Sequence, residues 1–441
     1  MYYMWALIIA IWGICYVVFR GAHLRERSMP LDNLPVMFSL VFLIYGTLPA
    51  IVWSLQGGEN QKLVGYRLGR PPTTEEHAFL LLLGLVFCTS LAFGVWLYQR
   101  SKPSLPRTAI GSIPKSVLNI CILLVVADFS LTVILTLTGV MRQADSYVDN
   151  YLVVQQLPLI LRMILKILGG FAFFSKMVIL VWLFQHWHTH RLWVYAIIAV
   201  TLVSFDPQAG RSGTFLMLLS CLILWNRFVK PLTIPQMTSA GLALLTLFTL
   251  AGAYRGLAER GQVRTQDLNL SLGEFDAPWT NAIELYREKR ANRLDIPLQL
   301  HFSELYNPVP AVFLPFKKWG YSGWFLNEYY FKYGRAGGGL MFGLFAQLVV
   351  GFGWADIVFR GVLLGMFLSW ITNHLRNGGE WWHYPALVYC AVWTFYSLRD
   401  SSFSILTNLI QVIALAVITI QILSGLKVSD LRLFHTVRAA K

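Results

Sequence analysis

Charge is what this sequence has least of. Of its 441 residues 36 are Lys or Arg and 22 are Asp or Glu, 13% in all, about half the share found in soluble domains. Hydrophobic residues make up 56% and aromatics 15%, and the mean hydropathy is +0.56. That balance excludes an ordinary soluble globule and predicts an all-α polytopic membrane protein, since backbone in lipid must satisfy its own hydrogen bonds. The excess of cations would suggest nucleic acid in a soluble chain. In a membrane protein it collects in cytoplasmic loops instead, so no nucleic-acid partner is expected.

Metal and nucleotide signatures are missing as well. There is no D-x-D, no H-E-x-x-H and no P-loop, so no metal and no cofactor is expected. The five cysteines (Cys15, Cys88, Cys121, Cys221, Cys390) all fall in apolar runs, where a thiol acts as a small hydrophobe, and no disulfide is expected. His186, His188 and His190 alternate in a short stretch, QHWHTHR, a pattern that fits a solvated turn better than a metal site. The first twenty residues have no basic residue ahead of their apolar stretch and no small-residue cleavage site. They predict a retained first helix.

A spanning helix needs about 20 mostly apolar residues. By that measure eleven spans are expected, within a range of ten to twelve: residues 2–19, 35–55, 77–98, 117–140, 167–185, 192–206, 213–229, 237–254, 353–373, 385–398 and 403–425. Residues 157–166, with Arg162 and Lys166 on one face, predict a surface-lying helix that leads into the next span. The basic clusters Arg20, Arg25, Arg27, then Arg100, Lys102, Arg107, Lys115, and then Lys427, Arg432, Arg438, Lys441 fall on one side if the count is odd. The N-terminus is then outside and the C-terminus inside.

The chain so divides into residues 1–254, bearing eight spans, an outer region 255–352, three C-terminal spans in 353–425 and a cytoplasmic tail 426–441. The long polar stretch 255–337 holds eleven basic and nine acidic residues, too many to lie in hydrocarbon. Residues 338–352, GGGLMFGLFAQLVVG, are short and glycine-rich, and predict a re-entrant or interfacial segment. Trp279, Trp319, Tyr321, Trp324, Tyr329 and Tyr330, near loop ends, are expected mostly in the membrane-interface belt.

Four charged clusters meet on the outer face in this topology: Asp206 with Arg211, Arg255, Lys317 with Lys318, and Arg399 with Asp400. A single arginine there snorkels or pairs with a carboxylate. Four such clusters, on the side that the positive-inside rule disfavours, point to a phosphate site, because guanidinium forks match phosphate oxygens. Glu304, His301 and Asp400 are the candidate acids or bases, since activating a hydroxyl needs a base within hydrogen-bond reach. Without metal ligands, a departing pyrophosphate must be neutralised by arginines.

The order of these motifs resembles the Wzy-type O-antigen and repeat-unit polymerases, relatives of the O-antigen ligases. Gly210 and Arg211 open a span, Arg255 follows the next, and a large outer loop carries an aromatic, proline and basic stretch from Tyr306 to Lys318. Arg399 and Asp400 precede the last helix. The resemblance covers roughly residues 200–425. Where the family often has W-P-x-K/R-P, this chain has LPFKKW.

The resemblance implies a C-type glycosyltransferase-like fold in the bacterial inner membrane, one that works on the periplasmic face without nucleotide-sugar or metal. The implied reaction transfers a growing glycan from undecaprenyl pyrophosphate to the non-reducing end of a new lipid-linked unit, in O-antigen or other surface polysaccharide synthesis. By motif match Arg211, Arg255 and Arg399 hold the pyrophosphate, with Lys317 and Lys318 beside them, and Glu304 ranks ahead of His301 as the group that assists the acceptor. The implied partners are undecaprenyl-pyrophosphate-linked glycans, the lipid bilayer and a chain-length regulator in the membrane. The rival expectation is a flippase of lipid-linked oligosaccharides, which should show repeated halves and ionisable groups near mid-membrane. The chain shows no repeat, and Asp128 is its clearest mid-helix acid.

Overall fold

The computed structural model describes residues 1–26, 30–55, 70–101, 110–138, 157–203, 212–243, 246, 273–309, 314, 320–330 and 341–425. Among them every regular element is helical. The first part of the chain gives α1 (Tyr2–Glu26), α2 (Leu34–Leu55), α3 (Thr74–Ser101), α4 (Lys115–Leu137), α5 (Leu159–Gln185), α6 (Trp187–Val203), α7 (Ser212–Phe228) and α8 (234–243). Residues 255–352 hold α9 (Gly273–Arg290), the single turns α10 (Leu298–His301) and α11 (Ser303–Tyr306), α12 (Tyr321–Tyr329) and α13 (Leu344–Val350). Last come α14 (Trp354–Asn377), α15 (His383–Arg399) and α16 (Ser404–Leu423), which contains a π-helical stretch at Leu409–Ala414.

Seven helices, α1 to α5, α14 and α16, are long and apolar enough to cross a membrane, and the chain is a helical membrane protein. Helices α6, α7 and α15 have 17 residues each, about 25 Å at 1.5 Å per residue, a little less than a hydrocarbon core of about 30 Å. Of the expected span 237–254 only 237–243 and 246 lie within the described residues.

Three local expectations are corrected. Residues 157–166 do not form a surface helix ahead of the next span, because α5 runs unbroken from Leu159 to Gln185. Pro158 starts it, and Gly169 and Gly170 inside it serve as contact points: a Cβ on Gly170 would rest 3.5 Å from Val412 of α16, and one on Gly169 3.8 Å from the Asp128 carboxylate of α4. QHWHTHR is a helix joint rather than an open turn. His186 closes α5, α6 begins at Trp187 with a kink at His190, and Trp182 lies against both His186 and His190.

The third correction concerns the aromatic residues assigned to a membrane belt. Trp279, Tyr321, Trp324 and Tyr330 are buried, with Tyr321 stacked on Phe342 at 5.0 Å. Trp319 lies outside the described residues.

Helix α15 is buried at 15 of its 17 positions, which makes it the central rod of the bundle, because a helix that is apolar all round must be covered all round. Helices α2, α5, α7 and α14 pack around it. The closest pair is α3 with α14. Gly361 and Gly365 form a G-x-x-x-G step that brings the backbones together. A Cβ on Gly361 would stand 2.8 Å from the Phe87 carbonyl oxygen, and one on Gly365 3.0 Å from the Val95 amide nitrogen. Gly365→Leu is therefore expected to separate the two helices and cost about 1–3 kcal/mol or more. A thermal midpoint in detergent equal to that of the natural chain would disprove the contact.

The bundle has two distinct polar ends. At one, Arg376 donates to Asp32 at 2.7 Å, the Leu34 amide to Thr372 Oγ1 at 3.1 Å, and Gln185 to the Gly111 carbonyl at 3.3 Å. At the other, α9 is clasped onto the start of α3. Thr73 and Glu76 cap α3 reciprocally, the Thr73 amide donating to Glu76 at 2.8 Å and the Glu76 amide to Thr73 Oγ1 at 3.3 Å, as in a capping box. Both Glu76 oxygens also accept from Arg287 at 2.8 Å. Deeper down, Trp279 Nε1 donates to His77 Nδ1 at 3.0 Å. Helix α13, seven residues and all buried, lies under α9. It is about 10 Å long, too short to span.

Candidate active site

The second polar end carries most of the described chemistry. Its floor is the start of α14, which presents Asp356 and Arg360 one turn apart. The turn between α15 and α16 adds Arg399, Asp400 and Ser402, the single turns α10 and α11 bring His301 and Glu304, and α12 and α13 supply Ser322 and Gln347.

Glu304 is the hub. One of its oxygens accepts from the Phe403 amide at 2.8 Å and from Ser402 Oγ at 3.0 Å, and the other is in close contact with Arg360. Arg360 also donates to Ser402 Oγ at 3.0 Å and to Asp356 at 3.3 Å. The Ser402 amide donates to Gln347 Oε1 at 3.0 Å. Arg360 and Glu304 are both more than nine-tenths buried, so this is a desolvated pair held by a closed ring of hydrogen bonds.

Around the ring stand four buried polar atoms without a hydrogen-bond partner: His301 Nδ1, Gln347 Nε2, Asp356 Oδ2 and Arg360 Nε. Buried groups of this kind are rare enough in folded chains to need a reason. Two donors, an acceptor and an imidazole nitrogen are the groups with which a polar ligand could be oriented.

Asp400 accepts from Ser322 Oγ at 2.6 Å. Burial pushes its carboxyl above the ordinary carboxylate range, the Ser322 bond opposes this, and the charge of Glu304 adds to the rise. His301 lies against Phe352, ring centres 4.1 Å apart. Burial lowers the pKa of its imidazole; Asp356 opposes that shift, and Arg360 and Lys289 deepen it. Burial likewise lowers the pKa of the Lys289 ammonium, which donates to the Val349 carbonyl at 2.6 Å. Arg399 is buried at the end of α15, 5.3 Å from the ring centres of Phe395 and Tyr396, with Met341 Sδ 2.8 Å from its Nε.

Three of the expected site residues thus come together, Glu304, His301 and Asp400; Arg399 precedes Asp400 in the chain, and its side chain meets Met341, Phe395 and Tyr396. With both oxygens hydrogen-bonded, Glu304 holds α11 and the 400–403 turn against α14. Arg211, Arg255, Lys317 and Lys318 lie outside the described residues, as does Asp206.

Arg360, Asp356, Gln347 and Ser402 were not among the expected residues. A signal existed for two of them, since Asp356 and Arg360 stand four apart in an apolar helix, where ionisable residues mark function. Among the described residues no cluster of three His, Cys, Asp or Glu could hold a metal ion. No family model, curated protein or solved structure matches the chain.

Proposed function

We propose that the protein extends a surface polysaccharide in the bacterial inner membrane by joining undecaprenyl-pyrophosphate-linked repeat units on the periplasmic face. The observation that carries this reading is the desolvated Arg360–Glu304–Ser402 ring beside Arg399 and Asp400 at one end of a helical bundle. Such an end can bind an anionic head group while its neighbours bind a hydroxyl.

In this reading eleven spans place the N-terminus outside and residues 255–352 in the periplasm. The contacts support that parity. Residues that follow α1 and precede α2 meet the end of α14 through Asp32 and Leu34, on the side of the basic clusters. The opening turns of α3 and α14 meet the outer region, Glu76 through Arg287 and Arg360 through Glu304.

The acceptor hydroxyl gives its proton to Asp400 or to neutral His301. Its oxygen then bonds to the anomeric carbon, and the bond from that carbon to the pyrophosphate oxygen breaks. The departing lipid diphosphate is met by Arg399, with Arg211, Arg255 and the Lys317–Lys318 pair assigned to the same task. Glu304 positions the turn that bears Asp400. Losing one such contact to developing charge costs about 10²–10³-fold in rate.

Purified protein given lipid-linked repeat units alone should make a ladder of products and release undecaprenyl pyrophosphate. Arg211→Ala, Arg255→Ala and Arg399→Ala should each insert normally and leave single units on the cell surface. Long chains persisting in all three would remove the pyrophosphate site and the polymerase reading with it.

A further inference from the structure

Part of the outer region shows a face that water does not suit. In the segment 298–309, Leu298, Phe302 and Leu305 are exposed, Leu305 by 72%, at the four-then-three spacing of one helical stripe. The opposite face carries Leu300, Ser303 and Glu304, all buried. The segment bridges two spanning helices. Glu304 and His301 anchor it to Arg360 and Phe352 beside α14. Gln411 of α16 donates to the carbonyls of Asn307 and Pro308, both at 3.0 Å.

Two observations decide what covers that stripe. Gln411 lies seven residues into α16, about 10 Å along it, so the end of the segment at Asn307 and Pro308 stands alongside α16, while Glu304 meets residues 402 and 403 just ahead of that helix. Next to them, Phe352, Phe359 and Ile410 are exposed apolar residues, so the stripe continues the outward apolar surface of α14 and α16. In addition, a segment broken into single turns leaves carbonyls free, which hydrocarbon tolerates only where protein satisfies them. Gln411 satisfies two, and Tyr306 Oη donates to a third, on Gln299, at 3.1 Å. The π-helical stretch that holds Gln411 is the kind of local irregularity that re-aims a side chain.

We infer that residues 298–309 lie in the outer leaflet between α14 and α16, their apolar edge on lipid chains and their polar edge forming the wall of the Glu304–Arg360 site. The occupant of the stripe is lipid. The site then faces the bilayer sideways, one layer of side chains from hydrocarbon, and its substrate class is a lipid whose polar head rides at the outer interface. The lipid contact stands by itself; the sideways approach of a substrate rests on the proposed function.

The test uses the full chain in phosphatidylcholine and phosphatidylglycerol nanodiscs, with a nitroxide at Leu305→Cys or Phe302→Cys and a control at Arg293→Cys, whose native side chain is 66% exposed. The five natural cysteines are all buried, so the label goes where it is sent. Collisions with dissolved oxygen should exceed those with a water-soluble nickel chelate several-fold at 302 and 305, and the order should reverse at 293. Nickel access at 302 and 305 equal to that at 293 would put the segment in water and overturn the inference. Low access to both reagents would mean that another protein surface covers the stripe, and would overturn it too. Because this measurement needs no turnover, high oxygen access with no product ladder would retain the lipid surface and discard the polymerase.

Discussion

Arg360→Ala is expected to give the largest loss of any single substitution, in stability and in activity together. It leaves the Glu304 carboxylate, 6% exposed, with Ser402 and the Phe403 amide as its only donors among the described residues. Removing one partner of a buried ion pair costs about 3–5 kcal/mol, because a charge is stranded away from water. The loss also frees α11 and the turn that bears Asp400, so ladder synthesis should stop. The double change Arg360→Met with Glu304→Leu separates the two effects. Replacing a buried pair by apolar groups of similar size is often neutral or stabilising, so the double variant should recover part of the lost thermal midpoint, Asp356 still lacking its cation, and remain inactive. A single variant that melts with the natural chain would show that the pair is not desolvated, and an active double variant would remove it from the site.

The spanning helices follow from run length, which composition shows directly. Helix α2 begins after Asn33, whose Oδ1 accepts from the Val36 amide at 3.3 Å, and α3 begins at the capping pair Thr73 and Glu76, as local rules require. Tertiary choices were not visible in the same way. Trp279 sits in a polar stretch and so suggested a membrane belt, yet its indole finds an acceptor in His77, 202 residues away, and is buried. Glu304 could be marked as a reactive carboxylate from its neighbours, but its donors come from residues 360, 402 and 403, which no window around it contains. Arg360 was hidden by its surroundings, since WADIVFRGVLLG passes as a span with two charges.

Asp400→Asn should raise stability at neutral pH while it lowers activity. The folded carboxyl has a pKa raised by burial above the value of about 3.9 in an unfolded chain. Between those two values the folded protein binds the proton and the unfolded chain does not, so stability falls as pH rises through the folded pKa. Below about pH 3 both states are protonated and the penalty vanishes. As pH rises above the unfolded value the natural chain bears a growing penalty, and an asparagine, whose Oδ1 can still accept from Ser322, does not. The variant should therefore melt higher than the natural chain at pH 7 and level with it near pH 3. If Asp400 takes the acceptor's proton, ladder synthesis should drop by about 10²–10⁴-fold, and the natural chain should lose activity on acidification at a pH above the ordinary carboxylate range. A variant with equal midpoints at both pH values would deny the burial cost. One with full activity would pass the proton to His301, whose lowered pKa leaves it neutral and able to accept. Both results come from one substitution, and together they tell whether this carboxyl is kept in an unfavourable place because the reaction needs it there.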